Sequence, residues 1–382
     1  MSEESPKDPE QALDNVTLSR KEGLRALADA EKRRQPELLT VRQIKSLSVP
    51  AFEVYQQDRR VWHANLGPFR TPQLDALQED LWDIVDSNAQ DGDKAKGAVA
   101  VDAHPGLGKT TAVLNFALKY HRREIAARGA YAASGRERWP VCRVGLTANI
   151  GMKDFNRALL EFYGHPGRKS GTSALFVQRA LDCVLECESR ILIVDDLHFL
   201  RWTDKNGKEV SNHFKHIANE FPVTLIFIGV GLEGRGLYSE IGELGDITLA
   251  QTGRRTTPLS MGAFEVDTDK QRWEWRALLL KIEQGVVLGR KFPGMLADEL
   301  SDYLYYRSSG HIGSLMTLIN RGCQRAARTG AERIDRRLLD HVKLDAAAER
   351  ARKATELKFK HGSMTTKPTG PPPRPSPVVD PE

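Results

Sequence analysis

A glycine-rich segment of this chain has the residue types and spacing of a phosphate-binding loop. It lies between an apolar, strand-like run at 98–101 and a helix-like run at 111–118. Backbone N–H groups at such a loop, and the positive end of the helix dipole, favour an anion. The spacing predicts binding of ATP or GTP, with Mg²⁺. The predicted nucleotide-binding residues are Ala103, His104, Pro105, Gly106, Leu107, Gly108, Lys109, Thr110 and Thr111.

Each residue type has a task in that prediction. Gly106 and Gly108 let the main chain approach phosphate oxygens, Lys109 reaches the β- and γ-phosphates, and the hydroxyl of Thr110 binds Mg²⁺. Ala103 replaces the first glycine of the strict pattern, which adds only a methyl group. The alternative is a glycine-rich turn that merely joins a strand to a helix.

Two adjacent carboxylates follow a second apolar run. Residues 191–194 are Ile-Leu-Ile-Val, typical of a buried parallel strand, and Asp195 and Asp196 follow directly. This pattern predicts a Walker B motif, in which Asp195 holds Mg²⁺ through water and Asp196 acts as a general base or positions the attacking water. Capping of a helix is the alternative role for either acid. Most ATPases of this kind have Glu at the second position, so the shorter Asp196 predicts slow hydrolysis.

Length and composition limit the class of protein. The 382 residues, 40% hydrophobic and 28% charged, are enough for one large or two modest globular domains. No apolar stretch approaches the roughly 18 residues that span a bilayer. The amino terminus is polar and lacks the apolar core of a signal peptide, so we expect a cytoplasmic protein without a membrane partner. The four cysteines have no metal-ligand spacing and are expected to be packed thiols.

The charge is unevenly distributed. The chain has a net charge of +5, but residues 321–374 alone contain fourteen Lys or Arg and six Asp or Glu. Such a segment attracts a phosphate backbone. A solvated helix face with a basic tail is an equally good interpretation of the charge alone.

The hydrophobic pattern predicts an α/β fold, an αβα core with a parallel sheet. Strand-like runs at 98–102, 141–146, 191–195 and 223–229 alternate with helical runs at 109–128, 152–163, 173–188 and 209–220. A ligand then binds at the carboxyl ends of the strands, where both motifs lie. Thr71 before Pro72 predicts a helix start. The predicted organisation is a disordered segment 1–15, a helical N-terminal extension 16–96, a nucleotide-binding core 97–266, an all-α lid 267–360 and a Pro-rich disordered tail 361–382.

The chain resembles the AAA+ ATPases, and among them the TniB and TnsC-like transposition ATPases, with MuB more distantly related. The resemblance extends over roughly residues 50–345. Besides the two Walker motifs it rests on His63–Pro72 before the core, Pro140–Thr147 at the second strand and Ser309–Leu315 in the lid. It implies an AAA+ core with an ATP-dependent switch that forms a ring or filament on duplex DNA. Such a switch selects a target, recruits a DDE transposase and disassembles on hydrolysis.

The resemblance also implies residue roles. A neighbouring subunit is expected to complete the site with an arginine, and Arg254 and Arg255 occupy that region, although either could be a surface residue. The basic residues expected to face the duplex, or merely the solvent, are Lys153, Arg157, Lys205 and Lys208.

The chain departs from the AAA+ pattern at two places. Val230 and Gly231 stand where many members have a polar γ-phosphate sensor, and Gly313 stands where other clades have a sensing arginine. Arg307 or Arg321 would have to substitute for that arginine, or no residue does.

Two alternative functions stay open. One is a replication initiator or helicase loader of the DnaA and DnaC kind, which often has Asp-Asp in Walker B; the other is a STAND-type signalling or defence ATPase that does not bind DNA.

Overall fold

The computed structural model describes residues 13, 15–91, 94, 96–146, 151–197, 205–232 and 255–372, without the side chains of 205–212. The chain divides into two compact units. Unit 1 comprises Met1–Lys32, Gln73–Pro105 and Lys109–Met261. Unit 2 comprises Arg33–Pro72, Gly106–Gly108 and Gly262–Glu382. The predicted segment 1–15 lies almost wholly outside the described residues.

The described residues contain these strands: β1 (Ala98–Asp102), β2 (Val141–Gly145), β3 (Ile191–Asp195), β4 (Thr224–Gly229) and β5 (Thr256–Ser260). The helices are α1 (Lys21–Asp29), α2 (Val41–Ser46), α3 (Val49–Ala64), α4 (Pro72–Ser87), α5 (Lys109–Arg128), α6 (Met152–Phe162), α7 (Ser173–Glu186), α8 (Lys205–Glu220), α9 (Asp269–Gly285), α10 (Ser301–Ser308), α11 (Ile312–Thr329), α12 (Arg336–Asp340) and α13 (Ala346–Lys360).

Unit 1 is built around a parallel five-stranded sheet in the order β2-β3-β4-β1-β5. All residues of β3 and β4 are buried, as expected for strands covered on both faces. The four predicted strands are confirmed within one residue at each end. The edge strand β5 was not predicted, because Pro258 and a mostly exposed side-chain pattern remove the usual strand signal.

Helices α1 and α4 pack on the sheet unit. Trp82 of α4 meets Phe116 of α5 edge to face, with ring centroids 4.7 Å apart. Arg25 of α1 lies over the ring of the buried Trp139, 4.8 Å from its centroid, and ion-pairs with Glu137. Hydrogen bonds from Arg25 and from Lys21 lower the pKa of Glu137 to about 2. These contacts place both helices in unit 1.

The described part of unit 2 is all-α and includes α2 and α3. Arg59 of α3 is fully buried and forms an ion pair with Glu332, with Nη1 2.7 Å from Oε2. The indole N–H of Trp62 donates to the carbonyl of Gly285 (2.6 Å). Residues of the predicted extension 16–96 are therefore found in both units, because α3 has its buried partners in the C-terminal part of the chain. The sheet unit ends at Met261 and unit 2 resumes at Gly262, and the predicted border between core and lid at 266/267 stays a prediction.

The last described segment packs against unit 2. Thr366 is buried and shares hydrogen bonds with Ser301 (2.6 Å) and Asp302 (2.7 Å). The carboxylate of Asp269 accepts hydrogen bonds from Thr369 and from the N–H of Gly370 (2.8 Å). The chain is thus anchored for about ten residues beyond the predicted start of the tail at 361, and residues 373–382 lie outside the described part.

Candidate functional site

The phosphate-binding loop has the backbone that its glycines predict. Strand β1 ends at Asp102 and α5 begins at Lys109. Between them Gly106 and Gly108 adopt φ values of +81° and +83°. These angles lie in the left-handed region, which residues with a Cβ rarely adopt. The loop therefore turns back over the start of α5, as a phosphate cradle requires.

Lys109 points into this loop. Its side-chain ammonium donates to the backbone carbonyl of Ala103 (2.6 Å) and to that of His104 (3.1 Å). The residue is buried, and desolvation lowers the pKa of its ammonium. The carboxylates of Asp102, Asp195 and Asp196 counteract part of that lowering. The hydrogen bonds of the ammonium go to neutral carbonyls, so phosphate oxygens in the loop would be stronger, charge-assisted partners.

The two motifs meet at the carboxyl edge of the sheet. The Thr110 hydroxyl lies 3.4 Å from Oδ1 of Asp195, and the N–H of Asp196 donates to the same oxygen (2.9 Å). Asp195 is 2% exposed, so its carboxylate is shielded from solvent. A hydroxyl and a carboxylate are the hard oxygen ligands that Mg²⁺ prefers, and Mg²⁺ often takes only one or two from the protein. The residues present thus fit the predicted metal.

Asp196 has an unusual backbone. Its φ is +60°, in the left-handed region that non-glycine residues seldom occupy. The residue is half-buried and follows the last residue of β3. Such conformations cluster at functional sites, where surrounding contacts impose them. The structure thus gives Asp196 a distinctive direction, and its role in hydrolysis stays a prediction.

A charged residue that the sequence analysis missed lies at this site. Arg143 of β2 forms an ion pair with Asp195, with Nη2 2.6 Å from Oδ2. Their side chains are only 17% and 3% exposed. The sequence feature that could have pointed to it is the presence of an arginine inside the otherwise apolar strand Val141–Gly145.

A cavity of about 750 Å³ lies in unit 2, whereas one of about 500 Å³ adjoins the loop in unit 1. The second lies at the carboxyl ends of β1, β4 and β5 and has the size of small-molecule sites. The Asp102 carboxylate beside it accepts the N–H groups of Gly231 (2.8 Å) and Leu232 (2.6 Å). Gly231, one of the two residues that stand where many AAA+ members have a polar sensor, is thus part of a turn whose backbone is held by the Asp102 carboxylate. The cavity-lining residues are Asp102, Ala103, His104, Val230, Gly231, Pro258, Leu259, Ser260 and Met261.

Of the two candidate trans-acting arginines, Arg255 lies far from the phosphate-binding loop and Arg254 is outside the described residues. Arg254 is not among the described residues. The carbonyl of Arg255 accepts the N–H of Ala98, at the amino end of β1, and its guanidinium donates to Asn219 (2.7 Å). The loop begins at the other end of β1, about 13 Å away for four residues of strand. Arg255 therefore lies at the opposite sheet edge from the loop of its own chain.

The candidate DNA-binding residues are only partly described. Lys153 lies over the ring of Phe176, with Nζ 5.8 Å from its centroid. Arg157 is exposed and ion-paired with Asp154 (3.1 Å) on the same helix. Lys205 and Lys208 lie in α8, but their side chains are outside the described set. The DNA-facing role of all four residues stays a prediction.

In unit 2, Arg307 has a structural environment. It is 1% exposed, and its guanidinium donates to the Tyr303 hydroxyl (2.6 Å) and to the carbonyls of Leu339 (3.0 Å) and Val342 (2.7 Å). The bonds to Leu339 and Val342 tie α10 to α12 and to the segment that follows it. Arg321 is exposed and donates to the carbonyl of Lys343 (2.5 Å).

Two broader features concern metals and membranes. In the described part of the chain, no cluster of three or more His, Cys, Asp or Glu side chains could hold a metal by itself. Across the same residues, every helix is too short or too polar to cross a bilayer.

Comparison with known proteins identifies the fold. Residues 92–235 match the family model of the AAA domain. The structure is similar to that of the Aeropyrum pernix Orc1 protein in complex with DNA, with a TM-score of 0.54 and 14% identity, over 80% of this chain and 72% of that one. The unit 1 fold is therefore the AAA+ P-loop fold. At this identity the likeness concerns the fold alone.

Two further solved structures are more distant. Cdc6p from Pyrobaculum aerophilum gives a TM-score of 0.49 at 13% identity, covering 72% of this chain and 67% of that one. A variant of Thermotoga maritima RuvB gives 0.39 at 15% identity, covering 69% and 66%. Comparison with curated proteins gives no match. None of these comparisons decides between transposition ATPases and other AAA+ classes.

Proposed function

We propose that this chain is an ATP-binding and ATP-hydrolysing switch that assembles on duplex DNA. The observation that carries the proposal is the meeting of Lys109, Thr110 and Asp195 at the carboxyl edge of an AAA+ sheet. ATP phosphates would replace the loop carbonyls as partners of Lys109. Thr110 and Asp195 would hold Mg²⁺, which neutralises charge on the phosphates.

Slow hydrolysis suits a switch, and two features support it. Asp196 is one methylene shorter than the usual Glu, so its carboxylate reaches less far toward an attacking water. Arg255 lies on the sheet edge opposite the loop, so it could act only on the nucleotide of another copy. We infer that self-association completes the site, with Arg254 or Arg255 stabilising charge on the γ-phosphate across the interface.

We propose DNA transposition as the process. The resemblance to TniB and TnsC-like ATPases supports this, because such proteins bind duplex DNA as ATP-bound assemblies, select a target and recruit a DDE transposase. The similar Aeropyrum Orc1 structure is a complex with DNA, which supports DNA as a partner of this chain. Lys153, Arg157, Lys205 and Lys208 are the proposed phosphate contacts.

Replication initiation or helicase loading is the second candidate. It is supported by Asp195-Asp196 and by the likeness to Orc1 along 80% of the chain. Sequence preference separates the two candidates. A transposition switch is expected to bind unrelated duplexes alike, whereas an initiator prefers its own site by about a thousandfold or more.

The experiment is fluorescence anisotropy of labelled duplexes of unrelated sequence, with the full chain, with and without ATP and Mg²⁺. We expect ATP to strengthen binding, similar affinities for all duplexes, and a steep loss of affinity with salt. A single strongly preferred duplex supports the replication candidate. Binding that is absent with ATP contradicts both candidates and supports the signalling class that acts on a protein.

The salt series also tests individual contacts. Lys153→Ala and Arg157→Ala are each expected to reduce the slope of log affinity against log salt by about 1. Arg136→Ala is the matched control. Arg136 lies in the loop before β2, is exposed and forms an ion pair with Glu186 of α7. Equal slopes for all three variants and the wild type would remove Lys153 and Arg157 from the interface.

A further inference from the structure

Arg143 lies in a strand that otherwise has only apolar or small residues. Its neighbours Cys142 and Val144 are buried on the opposite face of the sheet, since side chains alternate along a strand. The register pairs Arg143 with Ile193 and Gly145 with Asp195. Arg143 therefore shares a face with Asp195, two residues behind it along the sheet. Its long side chain extends along the strand to that carboxylate.

The two oxygens of Asp195 have different partners. Oδ2 accepts the hydrogen bond from Arg143 (2.6 Å). Oδ1 accepts the N–H of Asp196 (2.9 Å) and faces the hydroxyl of Thr110 (3.4 Å). One oxygen is thus held by a cation, while the other is directed to the residue that would bind Mg²⁺. Arg143 fixes the orientation of the carboxylate and neutralises its charge.

This charge balance bears on how the site holds ATP. A buried carboxylate repels the phosphates unless a cation compensates it, and Mg²⁺ commonly supplies that charge. Here the guanidinium of Arg143 supplies a permanent positive charge in direct contact with the carboxylate, in addition to the Lys109 ammonium nearby. An ion held between Thr110 and Asp195 would lie roughly 6 Å from that guanidinium, which is one hydrogen bond plus the width of a carboxylate. At an effective dielectric constant of about 20 one charge at that distance changes ion binding by roughly a hundredfold, and salt and solvent reduce this to about tenfold.

We propose that Arg143 is a positioning residue and built-in counter-charge at the Walker B carboxylate, which makes ATP binding by this chain only weakly dependent on Mg²⁺. The proposal rests on the proposed function, because it requires ATP in the loop. It assigns the guanidinium an electrostatic role that a purely structural ion pair lacks.

The test is the ratio of two dissociation constants for a fluorescent ATP analogue, measured with EDTA and with Mg²⁺. For the wild type we expect a ratio below about ten, and for Arg143→Gln a ratio at least about tenfold larger. Arg143→Lys keeps the charge without the planar fork, so it should retain the wild-type ratio. Arg136→Gln replaces an exposed arginine of the same unit to which no role in binding is assigned, so it is the matched control and should also retain the wild-type ratio. A ratio in Arg143→Gln that equals or falls below that of the wild type overturns the proposal.

A second variant guards against misfolding of Arg143→Gln. Asp195→Asn removes the carboxylate and frees the charge of Arg143, so it should tighten binding in EDTA by about tenfold. Unchanged or weaker binding in EDTA contradicts the role of Arg143. If the wild type binds the analogue under neither condition, the nucleotide site itself is refuted together with this proposal. If it binds but the ratio does not respond, only the role of Arg143 fails.

Discussion

Replacing Glu332 by Gln tests the assignment of α3 to the C-terminal unit. The Glu332 carboxylate accepts two hydrogen bonds from Arg59, at 2.7 and 3.1 Å, and one from the N–H of Gly289 at 2.9 Å. The side chains of Arg59 and Glu332 are 0% and 4% exposed. Glu332→Gln keeps the shape but leaves the Arg59 guanidinium buried beside a neutral amide.

The expected cost follows from that burial. Breaking a buried ion pair on one side destabilises by about 3–5 kcal/mol, because the remaining charge has no compensation. The double variant Arg59→Met/Glu332→Met removes both charges, and its main loss is the acceptor of Gly289 N–H, worth about 1–3 kcal/mol. The double variant should therefore be more stable than Glu332→Gln alone. Arg60→Met, at the exposed next residue, should change stability by about 0.5 kcal/mol or less.

The assay is urea unfolding followed by hydrogen exchange of the α3 amides, which reports on unit 2 rather than on the whole chain. We expect Glu332→Gln to lose protection in α3 and the double variant to recover most of it. If Glu332→Gln costs no more than Arg60→Met, the ion pair does not hold α3. If the double variant is the least stable of the three, the desolvation argument is wrong.

Three further predictions concern pH, hydrolysis and a tight turn. Burial lowers the pKa of His63 from 6.5 to about 4. As the pH falls, the imidazole is therefore protonated in the unfolded chain before it is protonated in the folded one. The free energy of unfolding of unit 2 should decrease by about 3 kcal/mol between pH 6.5 and pH 4. His63→Gln, which keeps an acceptor for Val287 N–H, should flatten that pH dependence in urea titrations, and an unchanged slope would contradict it. Asp196→Asn should slow ATP turnover by about a hundredfold or more, as expected for loss of a general base, and an equal turnover rate would exclude Asp196 from the mechanism. Gly310→Ala should destabilise the protein more than Gly330→Ala. The two glycines have nearly the same φ, +72° and +70°, but of the two only Gly310 would place a Cβ against a backbone atom, the Phe264 oxygen at 2.1 Å. Equal melting temperatures of the two variants would refute the steric argument.

The sequence predicted the core of unit 1 because its signals are local. The buried strands are continuous apolar runs, and the loop between β1 and α5 needs glycines at fixed places. Lys109, Thr110 and Asp195 were predicted to meet because carboxyl ends of parallel strands lie on one edge of a sheet. The start of α4 at Pro72 followed from helix-capping chemistry.

Features that depend on distant partners were not predicted. The sequence around α3 does not show that Arg59 pairs with a glutamate 273 residues away. Arg143 looked like an isolated charge in β2 until the register brought it beside Asp195. Anchoring of Thr366 likewise depends on Ser301 and Asp302, which composition cannot reveal, since a Pro-rich segment has no apolar pattern of its own.

The most direct test of the account is equilibrium binding of ATP, with Mg²⁺, to the full chain and to Lys109→Ala. Lys109 is the cation held by the loop carbonyls, and loss of charge-assisted hydrogen bonds worth about 1.5–3 kcal/mol should weaken binding by about 10- to 150-fold. The account predicts saturable binding to the wild type and this loss in the variant. Equal affinities, or a wild type that does not bind ATP, would contradict it.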